Sequence, residues 1–244
     1  MIDAGNGQFG WMKRVLGLFD VAKFERISKE PSIEQIKELG FKHGIVIWVP
    51  WRTPPVTRPW RRLMIPGTHF ITTGFSELTA NYVTKWNERA RRARKKCLAN
   101  ENIRIELVDS EVFAETFLAT KVKHAFKADY VRYMRAMCKV NASTVRCFLA
   151  YHKDKPVAGL AVHDAGNVSV HLVAFTSEEA KPLQAGTGLI DRWYESSLEF
   201  GIKYIHFDHL RDPHMTSDQQ GYTDFKMNFI QYLVQFKDIY FRFI

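Results

Sequence analysis

The sequence is poor in cysteine and has no long apolar run. Its three cysteines, Cys97, Cys138 and Cys147, form no Cys-x-x-Cys pair, and their odd number cannot complete a disulfide framework. A reducing cytoplasm is therefore the expected compartment. The longest nearly continuous apolar stretch, Ile45 to Trp51, is far shorter than the roughly 20 residues that a membrane-spanning helix needs. We predict no transmembrane segment, and the first residues lack the cationic start of a secretion signal.

The motifs of several large enzyme classes are also missing. The sequence has no Gly-x-Ser-x-Gly elbow and no P-loop. This excludes the enzymes that depend on those two motifs. What is present is a chain of 244 residues with 46% apolar and 14% aromatic residues, enough to bury the core of one large domain or two small ones. That composition also excludes a disordered chain.

Acidic residues are too few to balance the basic ones, and the imbalance is local. The chain carries 35 Lys and Arg against 26 Asp and Glu, a formal net charge of +9. Residues 52–104 contain twelve of the basic residues and three of the acidic ones, so this segment accounts for the whole excess. A neutral body with one basic segment indicates a polyanionic partner such as nucleic acid, a nucleotide sugar or an anionic lipid.

The first twenty residues show a helical pattern. Phe9, Met12, Leu16 and Phe19 recur at spacings of three and four, and charged residues take positions between them. This spacing predicts an amphipathic helix. Such a helix either packs on the body of the protein or lies on a membrane surface, so peripheral membrane contact is an open alternative.

The next segments alternate between regular structure and a loop. We predict a helix over Ser32 to Leu39, a buried strand over Gly44 to Val49, a loop over the proline-rich stretch Pro50 to Pro66, and a short strand over His69 to Thr72. A long basic helix is then predicted from Ser76, because apolar residues follow one face at spacings of three or four: Leu78, Tyr82, Trp86, Ala90, Ala93 and Cys97.

From Ile103 the predicted order is strand, two helices, three strands in a meander, helix, strand, helix and strand. The corresponding ranges are Ile103 to Val108, Ser110 to Lys123, Asp129 to Lys139, Thr144 to His152, Pro156 to His163, Val168 to Phe175, Leu183 to Phe200, Lys203 to Asp208, Thr223 to Leu233 and Asp238 to Phe243. A meander followed by a helix and a parallel crossover is an α+β arrangement.

Three stretches in this order resemble one family. Thr84 to Lys96, TKWNERARRARKK, resembles the R-x-x-I-R-K-A-x-K helix of the FemABX aminoacyltransferases. Gly201 to Asp208, GIKYIHFD, resembles their G-x-x-x-x-D-F strand, and Gly221 to Phe229, GYTDFKMNF, is similar to their G-L-Y-x-F-K-x-G-F motif. The resemblance implies an N-acyltransferase-like (GNAT) fold, with a partial GNAT-like domain over residues 1–75 and a complete one over residues 76–244.

The resemblance also implies an activity and its partners. FemABX enzymes transfer an aminoacyl group from aminoacyl-tRNA to an amine in a peptidoglycan precursor, which is a nucleotide-linked or lipid-linked muropeptide. This chain departs from the family pattern where His209 and Leu210 follow Asp208 and where Asn228 replaces a glycine. A further departure is that only about 75 residues precede the basic helix, so the first domain is shortened. Together these departures bear on the substrate and on the activity itself.

Aminoacyl transfer needs a deprotonated amine, a bound ester carbonyl and stabilisation of the oxyanion and of the leaving ribose oxygen. It needs no metal, no cofactor and no covalent enzyme intermediate. Lys226 is the expected catalytic cation, with its stem held between Phe225 and Phe229, and a surface lysine is the alternative. Asp208 at a strand end either accepts a proton from the amine or serves as a cap. Tyr222 either binds substrate or closes the core.

Cations elsewhere are candidates for binding phosphate. Arg89, Arg92 and Lys96 share one helix face and are expected to follow tRNA phosphates, although a solvated face is the ordinary alternative. Arg132, between two tyrosines, is a weaker candidate for a substrate phosphate. A metal site is not expected, because the members of the one tempting group need not converge: His206, Asp208, His209 and His214.

Two other functions stay open. The stretch Gln184 to Gly188, QAGTG, approaches the pyrophosphate loop of acyl-CoA enzymes, so an acyl-CoA-dependent N-acyltransferase is the second hypothesis. A non-catalytic module that binds tRNA or a nucleotide sugar is the third.

Overall fold

The fold is described from a computed structural model, which defines residues 2–3, 9–15, 17–25, 27, 29–38, 40–50, 59–62, 71–121, 127–210, 220–236 and 239–244. Its strands are β1 (Ile2–Asp3), β2 (Phe9–Val15), β3 (Phe19–Glu25), β4 (Gly44–Val49), β5 (Arg61–Arg62), β6 (Ile71–Glu77), β7 (Ile103–Val108), β8 (Val145–His152), β9 (Lys155–Ala165), β10 (Val168–Thr176), β11 (Tyr204–His209), β12 (Tyr232–Phe236) and β13 (Tyr240–Phe243). Its α-helices are α1 (Ile33–Glu38), α2 (Glu88–Leu98), α3 (Ser110–Ala119), α4 (Lys127–Val140), α5 (Ala185–Glu199) and α6 (Gln220–Met227).

The chain forms two compact units. One comprises residues 1–72 with residues 234–244, and the other comprises residues 73–233. The domain boundary predicted between residues 75 and 76 lies close to the division between residues 72 and 73. The last eleven residues join the first unit, because β13 pairs antiparallel with β4 over Tyr240 to Phe243.

The first unit is built on a six-stranded sheet in the order β1-β2-β3-β4-β13-β5. Strands β3 and β4 pair in parallel, which requires the crossover that α1 provides. The core of this unit contains Phe24, Ile36, Trp48 and Tyr240, all of which are at least 97% buried. The predicted α1 and β4 are thereby confirmed. Most of the predicted loop Pro50 to Pro66 lies outside the described residues.

The predicted N-terminal amphipathic helix is wrong. Strands β2 and β3 form an antiparallel hairpin, with Val15 opposite Phe19 and Trp11 opposite Lys23. Gly17, at φ +72°, lies in the turn of this hairpin. The apolar residues on the two sides of the turn are spaced by three and four, which is also the spacing of one face of a helix. The helix on which the membrane contact depended does not form. No helix within the described ranges is long and apolar enough to cross a membrane.

The second unit is built on a seven-stranded sheet in the order β12-β6-β11-β10-β9-β8-β7. Strands β8 to β10 form the predicted antiparallel meander, β7 pairs antiparallel with β8, and β10 pairs in parallel with β11. Alternate residues of β8 face opposite sides, so Phe148 joins the core beneath α5 and Leu149 joins the core beneath α3 and α4. The α+β prediction is confirmed.

The predicted long helix from Ser76 is wrong at its start. Ser76 lies in β6, where its hydroxyl donates to the carbonyl of Phe229, and α2 begins only after Asn87. The side chain of Asn87 caps α2 by accepting the Ala90 N–H at 2.9 Å. Five of the six apolar residues that suggested one continuous helix are nevertheless buried, and Ala93 is partly exposed.

The predicted helix over Thr223 to Leu233 is also misplaced. Helix α6 ends at Met227, and Tyr232 already belongs to β12. The structure therefore divides the predicted helix between a short helix and an edge strand, because Gln231 N–H donates to the carbonyl of Phe75 in β6 at 2.9 Å.

Candidate functional site

The sheet of the second unit opens between β10 and β11. The two strands pair over only three positions, Val168 to Val170 opposite Tyr204 to His206. Both strands continue beyond this point, β10 to Thr176 and β11 to His209. Beyond this point the backbone N–H and C=O groups on the facing edges of β10 and β11 do not pair with each other. They can therefore bind a ligand in a cleft between the two strands.

A bulge in β10 places a histidine at this opening. His171 lies opposite Val162 of β9, whereas Val173 lies opposite Ala161, so β10 has one extra residue between them. The bulge changes the side of the sheet that the following residues face. His171 faces the Trp193 side, with ring centres 6.3 Å apart, while Val173 enters the core under α3 and α4.

Lys226 reaches the same opening from α6. Its side chain is 2% exposed, and its ammonium donates to the backbone carbonyls of Phe207 and of His209, the latter at 3.2 Å. The ammonium also lies 4.0 Å from the centre of the Tyr222 ring. Lys226 is therefore not the surface lysine of the alternative interpretation. Two of its N–H bonds serve carbonyls at the end of β11.

Asp208 and Tyr222 complete the group. Asp208 has a left-handed backbone, with φ +58°, at a point where the pairing of β11 with β6 shifts register. The Tyr222 residue is 43% exposed, but its hydroxyl approaches the His171 ring at 3.3 Å from Nδ1. The structure brings together His171, Tyr222 and Lys226, and the Asp208 carboxylate lies close enough to act on the pKa values of His171 and Tyr222. We call these four residues the cleft cluster.

The charges of the cleft cluster change the proton affinities within it. Burial and then the charge of Lys226 lower the pKa of His171 well below its usual 6.5, and Asp208 opposes this only in part. Burial and then the Asp208 carboxylate raise the pKa of Tyr222 well above its usual 10.0. At neutral pH the imidazole and the phenol are thus both uncharged.

The remaining predicted substrate residues have different places. Phe225 packs edge to face on Phe229 at 5.1 Å and lines the core beside α5, so it supports α6 from within. Arg132 does not belong to the cleft cluster: its exposed guanidinium forms an ion pair with Asp129 on the same helix.

The basic helix α2 presents its cations to solvent. Arg89, Arg92 and Lys96 are all exposed, and Arg92 forms an ion pair with Glu88. By contrast, Arg94 is directed inward and donates to the buried Asp191 at 2.6 Å. One face of α2 is therefore anchored to α5 while the other carries exposed positive charge.

A groove of about 410 Å³ lies at the C-terminal end of α2. It is lined by Lys96, Ala99, Asn100, Glu101, Asn102, Pro182 and Leu183. It contains none of the residues of the cleft cluster. The chemistry of the second unit is therefore argued from the opening between β10 and β11, where the titratable groups converge.

The start of α5 uses its amides internally. Ala185 N–H donates to the Ala180 carbonyl at 3.3 Å, and Thr187 and Gly188 N–H donate to the Gln184 carbonyl at 3.0 and 3.2 Å. Two of the first three amides of α5, those of Ala185 and Thr187, therefore already have partners within the chain, and such N-terminal amides are the ones that bind a phosphate. Within the described part of the chain, no three His, Cys, Asp or Glu side chains are arranged to hold a metal ion. His206 stacks on Phe75, and His214 lies outside the described residues.

Sequence reasoning missed His171. No local motif surrounds it, and its position depends on a bulge and on α6, which lies about fifty residues further along the chain. The only signal available was a polar residue among the apolar residues of a predicted strand.

The mixed sheet, the opening beside β10 and the two layers of helices define an N-acyltransferase fold. Consistent with this, the sequence profile of the acetyltransferase (GNAT) domain matches residues 85–227, more than half of the chain. The chain belongs to this family.

Solved structures give the same fold. FemX has a TM-score of 0.67 at 12% identity, with 97% of this chain and 84% of FemX covered. L-PGS from Bacillus licheniformis has a TM-score of 0.54 at 11% identity, with 96% and 80% covered. A conserved protein of unknown function from Bacteroides thetaiotaomicron has a TM-score of 0.54 at 9% identity, with 92% and 79% covered. The FemABX-like fold is thereby confirmed. No curated protein matches the chain.

Proposed function

We propose that this chain is an aminoacyltransferase that moves an amino acid from aminoacyl-tRNA to an amine of a peptidoglycan precursor. The observation that carries the proposal is the cleft cluster, which lies at the opening of the sheet in a FemX-like fold. A basic helix face in the same unit suits a polyanionic donor. Charged tRNA is made in the cytoplasm, which is the location that the proposal requires.

In this proposal Lys226 and Asp208 are the catalytic residues. The field of the Lys226 ammonium, which disfavours a proton on His171, favours the negative charge that develops on the ester carbonyl oxygen. Asp208 orients the incoming amine and receives the proton that the amine loses as its N–C bond forms, and it passes that proton to the leaving ribose oxygen as the C–O bond breaks. Tyr222 hydrogen-bonds the substrate, and Phe225 holds the helix that carries both Tyr222 and Lys226.

The phosphate-binding part of the proposal rests on α2. Arg89, Arg92 and Lys96 would follow the tRNA backbone, and Arg132 on α4 would contact a phosphate of the precursor. We also infer that the first unit is a shortened counterpart of the first GNAT-like domain of the FemABX enzymes, with the second unit as the complete one.

Transfer of a radiolabelled amino acid tests the proposal directly. Purified protein is incubated with a panel of charged tRNAs and with nucleotide-linked or lipid-linked muropeptides, and label in the muropeptide is measured. We expect transfer by the wild type and its loss in Lys226→Met. Absence of transfer across the whole panel would contradict the proposal.

Binding to tRNA is measured in parallel with matched charge changes. The double variant Arg89→Glu/Lys96→Glu is expected to weaken binding and to reduce the salt dependence by about two phosphate contacts, each worth a slope of roughly 0.7 to 0.9. The control, Lys139→Glu/Lys203→Glu, removes the same charge from exposed positions outside α2. Equal losses in the two variants would argue against a specific basic face.

The second hypothesis, an acyl-CoA-dependent N-acyltransferase, is favoured by the family profile and opposed by the internal bonds of the α5 amides. Thermal stabilisation by CoA and not by tRNA would favour it. The third hypothesis, a non-catalytic binding module, predicts tRNA binding without any turnover in the wild type.

A further inference from the structure

The Tyr222 side chain has two contacts, one at the face of its ring and one at its hydroxyl. The face of its ring lies 4.0 Å from the Lys226 ammonium, and its hydroxyl lies 3.3 Å from Nδ1 and 3.5 Å from Nε2 of His171. His171 is 4% exposed, so this hydroxyl meets a buried imidazole. One contact within α6 and one to β10 therefore hold the Tyr222 ring at the opening of the sheet, with its hydroxyl beside the His171 imidazole.

Charged and titratable groups approach His171 from several elements. Lys226 and Tyr222 come from α6, Asp208 comes from β11, and Trp193 packs from α5. Burial and the Lys226 charge keep the pKa of His171 well below 6.5, so the imidazole is neutral. A neutral imidazole offers one nitrogen lone pair as a hydrogen-bond acceptor.

We propose that His171 is a positioning residue that accepts the hydroxyl hydrogen of Tyr222 and so turns the phenolic lone pairs toward an N–H of the acceptor amine. The inference rests on the proposed function, in which a primary amine is the nucleophile. The direction of the hydrogen bond is decisive, because a phenol that donates to His171 is left as an acceptor for its next neighbour. An amine is a donor to that oxygen.

The arrangement favours a primary amine as the acceptor. The amine nitrogen would donate one N–H to the Tyr222 oxygen and another toward the Asp208 carboxylate, and its own lone pair would be left for the ester carbonyl. An acetylated amine has only one N–H and a delocalised lone pair, and so cannot satisfy this pattern. His171 acts only through Tyr222, whereas Tyr222 touches the substrate.

A nuclear magnetic resonance experiment tests the geometry without any transfer. The imidazole ¹⁵N shifts of His171 are measured while Nα-acetyl-lysine methylamide is added, with the Nε-acetylated compound as the matched control. We expect the His171 signals to respond to the free amine only, and the response to disappear in Tyr222→Phe. A response to both compounds, to neither, or one that survives in Tyr222→Phe would overturn the inference.

A double-variant cycle tests the same inference in the transfer reaction. His171→Leu removes the acceptor and is expected to lower kcat about tenfold, the effect of losing one oriented hydrogen bond, with little change in KM for tRNA. His171→Asn keeps an acceptor near the position of Nδ1 and is expected to recover part of the rate. In the Tyr222→Phe background neither change should matter.

His163→Asn is the control, since it alters a buried histidine of β9 outside the cleft cluster. Additive losses in His171→Leu and Tyr222→Phe would overturn the inference while transfer by the wild type sustained the proposed function. Absence of transfer by the wild type would defeat the proposed function, and the magnetic resonance result would still decide whether His171 orients Tyr222 toward an amine.

Discussion

The Lys226 ammonium lies 4.0 Å from the centre of the Tyr222 ring while donating to the carbonyls of Phe207 and His209. The Lys226 side chain thus connects the end of β11 to α6, where it also contacts a residue one helical turn earlier. The buried cation fixes the edge of the cleft and also sets its electrostatic potential. A substitution at this position should therefore change both the stability of the fold and the proton affinity of its neighbours.

Lys226→Met tests both effects with a side chain of similar length. The two carbonyls lose a charged donor, and we expect a loss of about 1 to 3 kcal/mol in the free energy of unfolding. The pKa of His171 should rise because the Lys226 charge, which lowers it, is gone. Urea unfolding and a magnetic resonance titration of His171 measure these changes. Lys155→Met, at an exposed ion pair, is the control, and an unchanged His171 titration would contradict the prediction.

The neutral state of His171 should make the fold sensitive to mild acid. Its pKa in the folded protein lies well below the 6.5 of an exposed histidine, so the unfolded chain binds a proton that the native chain does not. Stability is then expected to fall as the pH drops below about 6.5. Urea midpoints at pH 7.5, 6.5 and 5.5 should show a smaller decline in His171→Asn. Parallel curves for the two proteins would count against a neutral His171.

Asp20 should give the first unit a second acid transition at lower pH. Hydrogen bonds from the Arg14 guanidinium, at 2.7 Å, and from the Lys42 N–H, at 2.8 Å, hold the pKa of this carboxyl well below its usual 3.8. The stabilisation is complete above about pH 4 and is lost as the pH falls toward the native pKa. Asp20→Asn should therefore unfold more easily at pH 7 and lose less stability between pH 5 and pH 3.

The matched control for Asp20 is Asp154→Asn, at a carboxylate whose side chain is 93% exposed. We expect its unfolding curve to follow that of the wild type across the acid range. A similar acid response in the two variants would show that the Asp20 contacts do not carry the effect.

Arg146 should be one of the most sensitive positions of the second unit. Its guanidinium is 4% exposed, donates twice to Asp164 and also donates to the hydroxyls of Ser169, Ser196 and Ser197. Arg146→Met leaves that carboxylate without its counter-ion, and we expect a loss of about 3 to 5 kcal/mol. Arg135→Met, at an exposed pair with Glu111, should cost less than about 1 kcal/mol. Thermal unfolding of both variants checks the contrast.

Two glycines of α5 should respond in opposite ways to the same substitution. A methyl group at Gly188 would lie 2.6 Å from Cys97 Sγ and from Ile105 Cδ1, so Gly188→Ala should destabilise by about 1 to 3 kcal/mol. At Gly186 the nearest atom is Phe225 Cζ at 3.5 Å, an ordinary contact, so Gly186→Ala should be neutral or stabilising. Cys97→Ala should recover part of the Gly188→Ala loss. Equal melting temperatures for the two alanine variants would contradict the packing argument.

Sequence patterns predicted the parts of this fold that depend on near neighbours. The β8–β9 hairpin is signalled by Lys153 and Asp154, both of which take the left-handed backbone that its turn requires. Only the start of β6 falls within the short strand predicted over His69 to Thr72. The rest was not predicted because its partners come from the far end of the unit, and the apolar spacing after Ser76 is compatible with a helix. A single window of sequence holds no information on such distant pairing.

In the candidate site, too, the residues within local motifs were predicted and the residue that depends on distant contacts was not. Lys226, Asp208 and Tyr222 were found through motifs whose residues are adjacent in the chain, and the structure brings them together. His171 joins them only through a bulge and a contact between distant elements, for which no short pattern exists.

Strand β6 lies between β11 and β12, although it is the earliest in the chain of the seven strands of this sheet. The bond from the Ser76 hydroxyl to the Phe229 carbonyl closes a loop of 153 residues. During synthesis β6 cannot pair with β11 and β12 until almost the entire unit has been made. Pairing between strands so distant in sequence favours slow folding. A fragment cut to the profile-matched residues 85–227 would lack both β6 and β12, leaving β11 as an open edge prone to self-association.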